Sequence, residues 1–146
     1  MKICMIGTGY VGLVSGVCFS DLGNKVICAD IDKNKIDMLN SSKIPIYEPG
    51  LEELVKKNYN QKRLFFTTNI SQAVKNSEIV FICVGTPTKK NSNTANLKYI
   101  FQAADIISKN INKYKVIVTK STVPVTTGDQ IEKILKKRNK VNKFDV

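Results

Sequence analysis

The stretch Ile3-Cys4-Met5-Ile6-Gly7-Thr8-Gly9-Tyr10-Val11-Gly12 joins an apolar run directly to three glycines with the spacing G-x-G-x-x-G. An apolar run that stops at a glycine turn and restarts as a helix predicts a strand–turn–helix unit. At such a turn the unpaired N–H groups and the positive dipole end of the helix face an anion. We therefore expect Gly7 to permit the turn, Gly9 to leave room for a phosphate, and Gly12 to let the helix approach the strand.

A second apolar run, Val26-Ile27-Cys28-Ala29, ends at Asp30, 18 residues after Gly12. In dinucleotide-binding units an acidic residue at this place accepts hydrogen bonds from the adenosine ribose. An aspartate at a strand end can instead cap the next helix, and Asp32 is well placed for that role. We assign Asp30 to the ribose, and a carboxylate there favours NAD over NADP because it repels a 2′-phosphate. Lys35 is expected either to contact the cofactor or to lie on the plain surface.

Apolar strands and amphipathic helices alternate along the rest of the chain. Strands are expected at about 3–6, 25–29, 64–67, 79–84 and 115–119, with a further strand opening at 144–146. Helices are expected at about 11–22, 33–40, 51–58, 97–108 and 126–137, with a short one ending at 74. The run 79–84 is apolar throughout, as is typical of a strand covered on both faces. The pattern predicts an α/β fold, a doubly wound parallel sheet of the Rossmann type in three layers, with strand order 3-2-1-4-5.

Three segments that each follow an apolar strand are expected to meet at the carboxyl edge of this sheet. They are Gly7–Gly12, Val84-Gly85-Thr86-Pro87-Thr88 and Lys120-Ser121-Thr122-Val123-Pro124. Ligands of doubly wound sheets bind at this edge, where the strand order reverses. Hydroxyls that can donate and accept hydrogen bonds are offered by Thr86, Thr88, Ser121 and Thr122. Thr-Pro and Ser-Thr pairs often only build turns, but the convergence of three loops favours ligand contact.

The formal net charge of +11, from 23 basic and 12 acidic residues, is spread along the chain. Only Arg63 and Arg138 are arginines, whereas a nucleic-acid groove usually clusters arginine with aromatic residues. The densest basic group, which is best explained as a solvated helix end, is Lys133, Lys136, Lys137, Arg138 and Lys140. We therefore expect no nucleic-acid partner. No apolar run approaches the ~18 residues of a membrane span, and the first strand leaves no room for a signal peptide, so we expect no membrane segment and a cytoplasmic location.

The four cysteines, at positions 4, 18, 28 and 83, all lie in apolar segments. There is no histidine and no C-x-x-C spacing, so we expect no metal site. Cysteine commonly fills cores as a small hydrophobe. We expect buried, reduced, structural thiols and no cysteine nucleophile in this chain.

Five segments occur in an order and spacing that resemble one known family. They are GTGYVGLVSGVCFSDLGNKVICADIDKNKI, PIYEPGLEEL, RLFFTTNI, FICVGTPT and KSTVPV. Together they resemble the N-terminal domain of the UDP-glucose/GDP-mannose dehydrogenase family, to about residue 135. The resemblance implies NAD-dependent oxidation of a nucleotide sugar at C6, twice, from alcohol to carboxylate. The forms YEPGL and KSTVP are more similar to the UDP-glucose branch, with GDP-mannose or UDP-N-acetylmannosamine as the alternative substrate.

The resemblance also implies a set of site residues. Cofactor contacts are expected at Gly7, Thr8, Gly9, Tyr10, Val11, Gly12, Asp30, Lys35, Val84, Gly85, Thr86, Pro87, Thr88, Ser121 and Thr122. Thr122 is also the expected catalytic residue, because the family's threonine in Ser-Thr-Val-Pro helps to position water near the reacting carbon.

The resemblance further implies that much of the family's enzyme lies outside this chain. The catalytic cysteine, its Lys and Asp neighbours, the central helix and the UDP-sugar-binding domain would follow residue 146. We therefore expect residues 1–146 to be a Rossmann domain that binds NAD but does not oxidise UDP-glucose alone, within a protein that forms a homo-oligomer.

Two other interpretations remain open at this point. A non-catalytic module could bind NAD in the same pocket only to switch a partner. A methyltransferase also uses a glycine loop and an acid after its second strand, but the loops 84–88 and 121–124 have no obvious task in that class.

Overall fold

The computed structural model describes residues 1–89, 94–139 and 143–146. The strands within these ranges are β1 (Lys2–Ile6), β2 (Lys25–Ala29), β3 (Leu64–Thr67), β4 (Ile79–Ile82), β5 (Lys115–Thr119) and β6 (Phe144–Asp145). The helices are α1 (Tyr10–Asp21), α2 (Lys33–Asn40), α3 (Leu51–Asn60), α4 (Ile70–Asn76), α5 (Lys98–Asn110) and α6 (Thr127–Lys136).

The strands form one parallel sheet in the order β3-β2-β1-β4-β5-β6. The predicted α/β fold and the order 3-2-1-4-5 are confirmed. The sixth strand extends that order, because Phe144 pairs with Lys115 and Asp145 pairs with Val116. β4 ends at Ile82, two residues before the predicted end, so Cys83 and Val84 belong to the loop that follows it.

Apolar side chains cover both faces of the sheet and give the predicted three layers. Along β1, Ile3 and Met5 face one core cluster while Cys4 and Ile6 face the other, as the alternation of side chains in a strand requires. Helices α1, α2 and α3 cover the first face, and α4, α5 and α6 cover the second. Apart from the exposed Lys2, the central strands β1 and β4 therefore consist of apolar residues, because helices cover both faces of the sheet.

Two glycines set how closely α1 packs against the sheet. A Cβ at Gly12 would overlap the carbonyl oxygen of Gly7 and would lie 3.0 Å from Cβ of Cys83. A Cβ at Gly16 would lie 2.6 Å from Sγ of Cys28 and 3.1 Å from Cγ of Met5. The helix rests at a distance that only glycine allows at these positions.

Lys115, at the start of β5, is a buried cation. Its Nζ donates to the carbonyl oxygens of Ser77 and Lys75, at the C-terminal end of α4. Burial lowers the pKa of Lys115, and the positive charge of Lys113 lowers it further. The carbonyl dipoles that end α4 supply the acceptors that water would otherwise provide.

Three of the four cysteines are buried as expected, but the prediction was wrong for Cys18, which is exposed on the outer side of α1. Burial raises the pKa of the Cys4 thiol to about 12. Within the described ranges no group of cysteine and carboxylate side chains is arranged to hold a metal ion. None of the helices in the described part of the chain combines the length and apolarity that a bilayer crossing needs.

We expect the substitution Gly12→Ala to destabilise the fold by roughly 1–3 kcal/mol, because the added methyl meets backbone rather than a flexible side chain. The matched control is Gly128→Ala in α6, where no described atom lies within 4 Å of an added Cβ. That control should be neutral or slightly stabilising, because alanine favours a helix more than glycine does. Urea unfolding measures both, and an unchanged midpoint for Gly12→Ala would contradict the close packing of α1.

Candidate dinucleotide-binding cleft

A cleft of ≈ 1280 Å³ opens at the carboxyl edge of the sheet, between the loops that follow β1, β2, β4 and β5 and one side of α5. The predicted cofactor contacts that line it are Gly7, Gly9, Tyr10, Val11, Asp30, Lys35, Val84, Gly85, Thr86, Ser121 and Thr122. All three loops singled out from the sequence therefore contribute to one cleft, at the point where the strand order reverses.

Four of the predicted contacts do not line this cleft. Thr8 is buried behind Asp30, and Gly12 faces the carbonyl group of Gly7. Pro87 and Thr88 lie further along the loop after β4. There Thr88 forms an antiparallel bridge with Ala95, and the carbonyl oxygen of Pro87 accepts from the Asn96 amide at 2.8 Å. Residues 90–93, part of the polar loop expected here, lie outside the described residues.

The glycines of the first turn meet different demands. Gly7 has φ +104°, a conformation that favours glycine, and an added Cβ would lie 2.7 Å from the carbonyl oxygen of Cys83. Gly9 has φ −75°, and no described atom lies within 4 Å of a Cβ built there. The fold therefore requires glycine at position 7 but not at position 9, where the open space faces the cleft.

The N terminus of α1 is available to an anion. Gly9 is its N-cap residue, and no side chain of the described structure caps it. The first turn contains no acidic residue to oppose the positive end of the helix dipole. Unpaired amides beside an open glycine fit the diphosphate of a dinucleotide.

The Asp30 carboxylate is half-buried at the end of β2 and is held by three donors. The amide and the hydroxyl of Thr8 donate to its Oδ2 at 2.7 and 2.8 Å, and the Asp32 amide donates to Oδ1 at 3.0 Å. Burial alone would raise the pKa of Asp30, but these hydrogen bonds, with the charge of Lys35, hold the pKa below its usual range. Asp32 takes the capping role instead, accepting from the amides of Asn34 and Lys35 at the start of α2.

Ser121 ties two of the site loops together. Its hydroxyl donates to the carbonyl oxygen of Val84 at 2.7 Å, and its amide donates to the carbonyl oxygen of Ile82 at 3.2 Å. Its oxygen keeps acceptor capacity toward the cleft. Thr122 follows on the exposed rim and lines the same cleft.

One wall of the cleft consists of residues that were not predicted from the sequence. Ile31, directly after Asp30, lines the cleft although its exposed fraction is 75%. Tyr99, Gln102 and Ile106 of α5 form a second stripe beside the core-facing one. Two features of the sequence could have predicted this wall. One is the apolar residue after Asp30, and the other is the spacing i, i+3, i+7 on α5 outside its core-facing stripe.

Cys83 lines the cleft but is not arranged as a nucleophile. Burial raises the pKa of its thiol to about 11, although the nearby positive charge of Lys120 acts in the opposite direction. At neutral pH the thiol is therefore protonated.

The basic residues near the end of α6 are partly paired within the domain. Lys136 lies 2.7 Å from Glu132, and a guanidinium nitrogen of Arg138 lies 3.6 Å from an oxygen of Asp105. Lys140 lies outside the described residues.

The sequence and the fold of this chain were both compared with those of known proteins. Residues 1–146 match the model described as the UDP-glucose/GDP-mannose dehydrogenase family, NAD binding domain. The chain is 53% identical to the UDP-glucose 6-dehydrogenase TuaD of Bacillus subtilis over 99% of its length, and 52% identical to the UDP-glucose 6-dehydrogenase of Rhizobium meliloti over 95%. It superposes with a TM-score of 0.91, at 39% identity, on a ternary complex of GDP-mannose dehydrogenase from Pseudomonas aeruginosa, covering all of this chain and 35% of that one.

The chain spans 32% of the length of each of the two curated relatives. The whole chain matches the family's NAD binding domain, and its cleft lies at the carboxyl edge of the sheet, where ligands of such sheets bind. The cofactor is therefore NAD. The chain therefore belongs to the UDP-glucose/GDP-mannose dehydrogenase family, and residues 1–146 correspond to its NAD binding domain.

Proposed function

We propose that this domain holds NAD for an oxidoreductase that converts UDP-glucose to UDP-glucuronate with reduction of two NAD. The observation that carries the proposal is the fixed Asp30 carboxylate, which faces the same cleft as the open N terminus of α1. NAD, when bound, supplies the acceptor for the hydride that leaves the sugar carbon.

The described residues suggest a division of roles along the cleft. The α1 amides near Gly9 would hold the diphosphate, and Asp30 would accept from the adenosine ribose. Ile31 and the outer stripe of α5 would form the wall against the adenine ring. The hydroxyl-bearing loops after β4 and β5, joined through Ser121, would orient the nicotinamide end.

The identity of the sugar rests on the relatives. Those at 52–53% identity are UDP-glucose 6-dehydrogenases, whereas the GDP-mannose dehydrogenase structure is 39% identical. The two relatives at 52–53% identity support UDP-glucose over GDP-mannose or another nucleotide sugar, although a UDP-glucose dehydrogenase structure at 33% identity shows that identity does not separate the two branches throughout.

The remaining parts of the activity belong to the longer protein. Because the chain covers about a third of its relatives, we propose that UDP-sugar binding, the catalytic cysteine and homo-oligomer contacts lie outside residues 1–146. The domain alone would then bind NAD without turnover. We also propose a cytoplasmic location, where NAD and reduced thiols are both available.

The ion pairs of Lys136 and Arg138 support the interpretation of the basic cluster as a solvated helix end rather than a nucleic-acid surface. Strongly salt-dependent binding to duplex DNA would oppose it.

We expect NAD at 100 times its dissociation constant to stabilise the protein by about 2.7 kcal/mol, or roughly 6–11 °C in a thermal melt. Asp30→Ala removes the acceptor for the ribose and should weaken NAD binding roughly 10- to 100-fold. The control Asp37→Ala removes an exposed α2 carboxylate that pairs with Lys33, and should keep the NAD response. The proposal would be overturned if the folded wild-type protein had the same melting temperature with and without millimolar NAD.

Gly9→Ala should leave urea unfolding unchanged but weaken NAD binding at least about tenfold. The backbone at Gly9 suits alanine and the added methyl meets no described atom. Alanine is a poorer N-cap than glycine but also restricts the unfolded chain, so these two effects on stability oppose each other, and the methyl acts mainly by filling space in the cleft. Isothermal titration with NAD measures the loss, with Gly128→Ala as the control. Undiminished affinity would show that no phosphate approaches Gly9.

In the full-length enzyme, we expect Thr122→Ala to lower kcat for UDP-glucose roughly 10- to 100-fold, because the hydroxyl that would position water at the reacting carbon is lost. NAD affinity should change far less, and Thr122→Ser should recover most of the turnover. Steady-state kinetics with NAD titrations separate the two effects. Equal losses in kcat for the alanine and serine variants would exclude this role.

A further inference from the structure

Thr8 was expected among the cofactor contacts, but its side chain faces away from the cleft. The residue is buried, with an exposed fraction of 0%, between two glycines of the first turn. Its hydroxyl and its amide both donate to the same oxygen, Oδ2 of Asp30. An ionised carboxylate only accepts hydrogen bonds, so the Thr8 hydroxyl must be the donor.

These contacts leave the Asp30 carboxylate with one orientation. Rotation about its Cβ–Cγ bond would break both hydrogen bonds from Thr8 and the one from the Asp32 amide to Oδ1. Oδ2 is saturated by its two donors, whereas Oδ1 has accepted one and can accept one more. The oxygen left for a ribose hydroxyl is therefore Oδ1.

Charge alone discriminates weakly between NAD and NADP at this place. Lys35 lines the same cleft, and its positive charge acts on Asp30. A 2′-phosphate would be attracted to that cation if the carboxylate could turn aside. Exclusion of the phosphate therefore depends on a carboxylate that stays ionised and does not move.

We propose that the Thr8 hydroxyl is a specificity-determining group that sets the preference for NAD over NADP by fixing the Asp30 carboxylate. The proposal rests on the proposed binding of the adenosine ribose at Asp30. Thr8 acts through Asp30 and is a positioning residue that does not touch the cofactor.

The test uses Thr8→Val, which has nearly the same shape but no donor, and Thr8→Ser, which keeps the donor. Dissociation constants for NAD and NADP are measured by isothermal titration with each protein. We expect Thr8→Val to lower the ratio of the NADP to the NAD dissociation constant roughly tenfold, the scale of one hydrogen bond to a charged group. Thr8→Ser should restore the ratio to within about threefold of the wild type.

A double-mutant cycle separates positioning from a general loss of structure. In an Asp30→Ala background the ratio should not respond to Thr8→Val, because the carboxylate that the hydroxyl fixes is gone. If Thr8→Val does not fold, Thr8→Ser and Thr8→Ala give the same comparison, since they differ by one oxygen.

The outcomes distinguish this inference from the proposed function. A ratio that is unchanged in folded Thr8→Val, or a serine variant that behaves like the valine variant, overturns the role of Thr8 while NAD binding stands. A wild type that binds neither dinucleotide overturns the proposed function itself.

Discussion

The close approach of α1 to the sheet is the constraint on which the rest of the structure depends. Gly12 rests against the backbone of Gly7, and Gly16 rests against the side chains of Cys28 and Met5. Because the helix lies this close, its N terminus opens directly beside the end of β1, where the strand order reverses. The apolar layers on both faces then hold the sheet that fixes this position. The geometry at the N terminus of α1 is thus a consequence of this packing.

The G-x-G-x-x-G motif combines requirements of the fold with a requirement of the ligand. Gly7 is needed for its positive φ and Gly12 for its contact with backbone, so both would be retained in a domain that bound nothing. Gly9 satisfies neither need, and the open space beside it leaves room for the proposed diphosphate. Thr8 turns inward between them and links the turn to the end of β2. One short segment therefore forms the turn proposed to hold the diphosphate and also orients the acid proposed to accept from the ribose beside it.

The sequence predicted the sheet because its information is local. Alternating apolar runs and helical stripes, with right-handed crossovers, leave few strand orders to consider. The position of Asp30 at the cleft was predictable for the same reason, since this residue directly follows a strand. The direction of the Thr8 side chain, the burial of Lys115 and the exposure of Cys18 were not predictable from spacing. Each depends on whether a residue meets an element that is distant in the sequence. Thr8 meets the end of β2 and Lys115 meets the end of α4, whereas no element covers Cys18 in the described structure. The α5 wall was missed because its core-facing stripe dominates the helical pattern.

The protonated state of the Cys83 thiol suits a cleft that binds an anion, and it does not suit a cleft in which this cysteine is a nucleophile. A thiolate at this position would place a negative charge beside the α1 N terminus, where the proposed diphosphate already brings two. Burial prevents this by raising the pKa of the thiol to about 11, so the group stays neutral. Lys120 lies near enough to lower that pKa, yet its effect is smaller than that of burial, which leaves its positive charge uncompensated by the thiol. The same burial that makes Cys83 unreactive therefore keeps a further negative charge out of a cleft whose described lining holds three aspartates and three lysines.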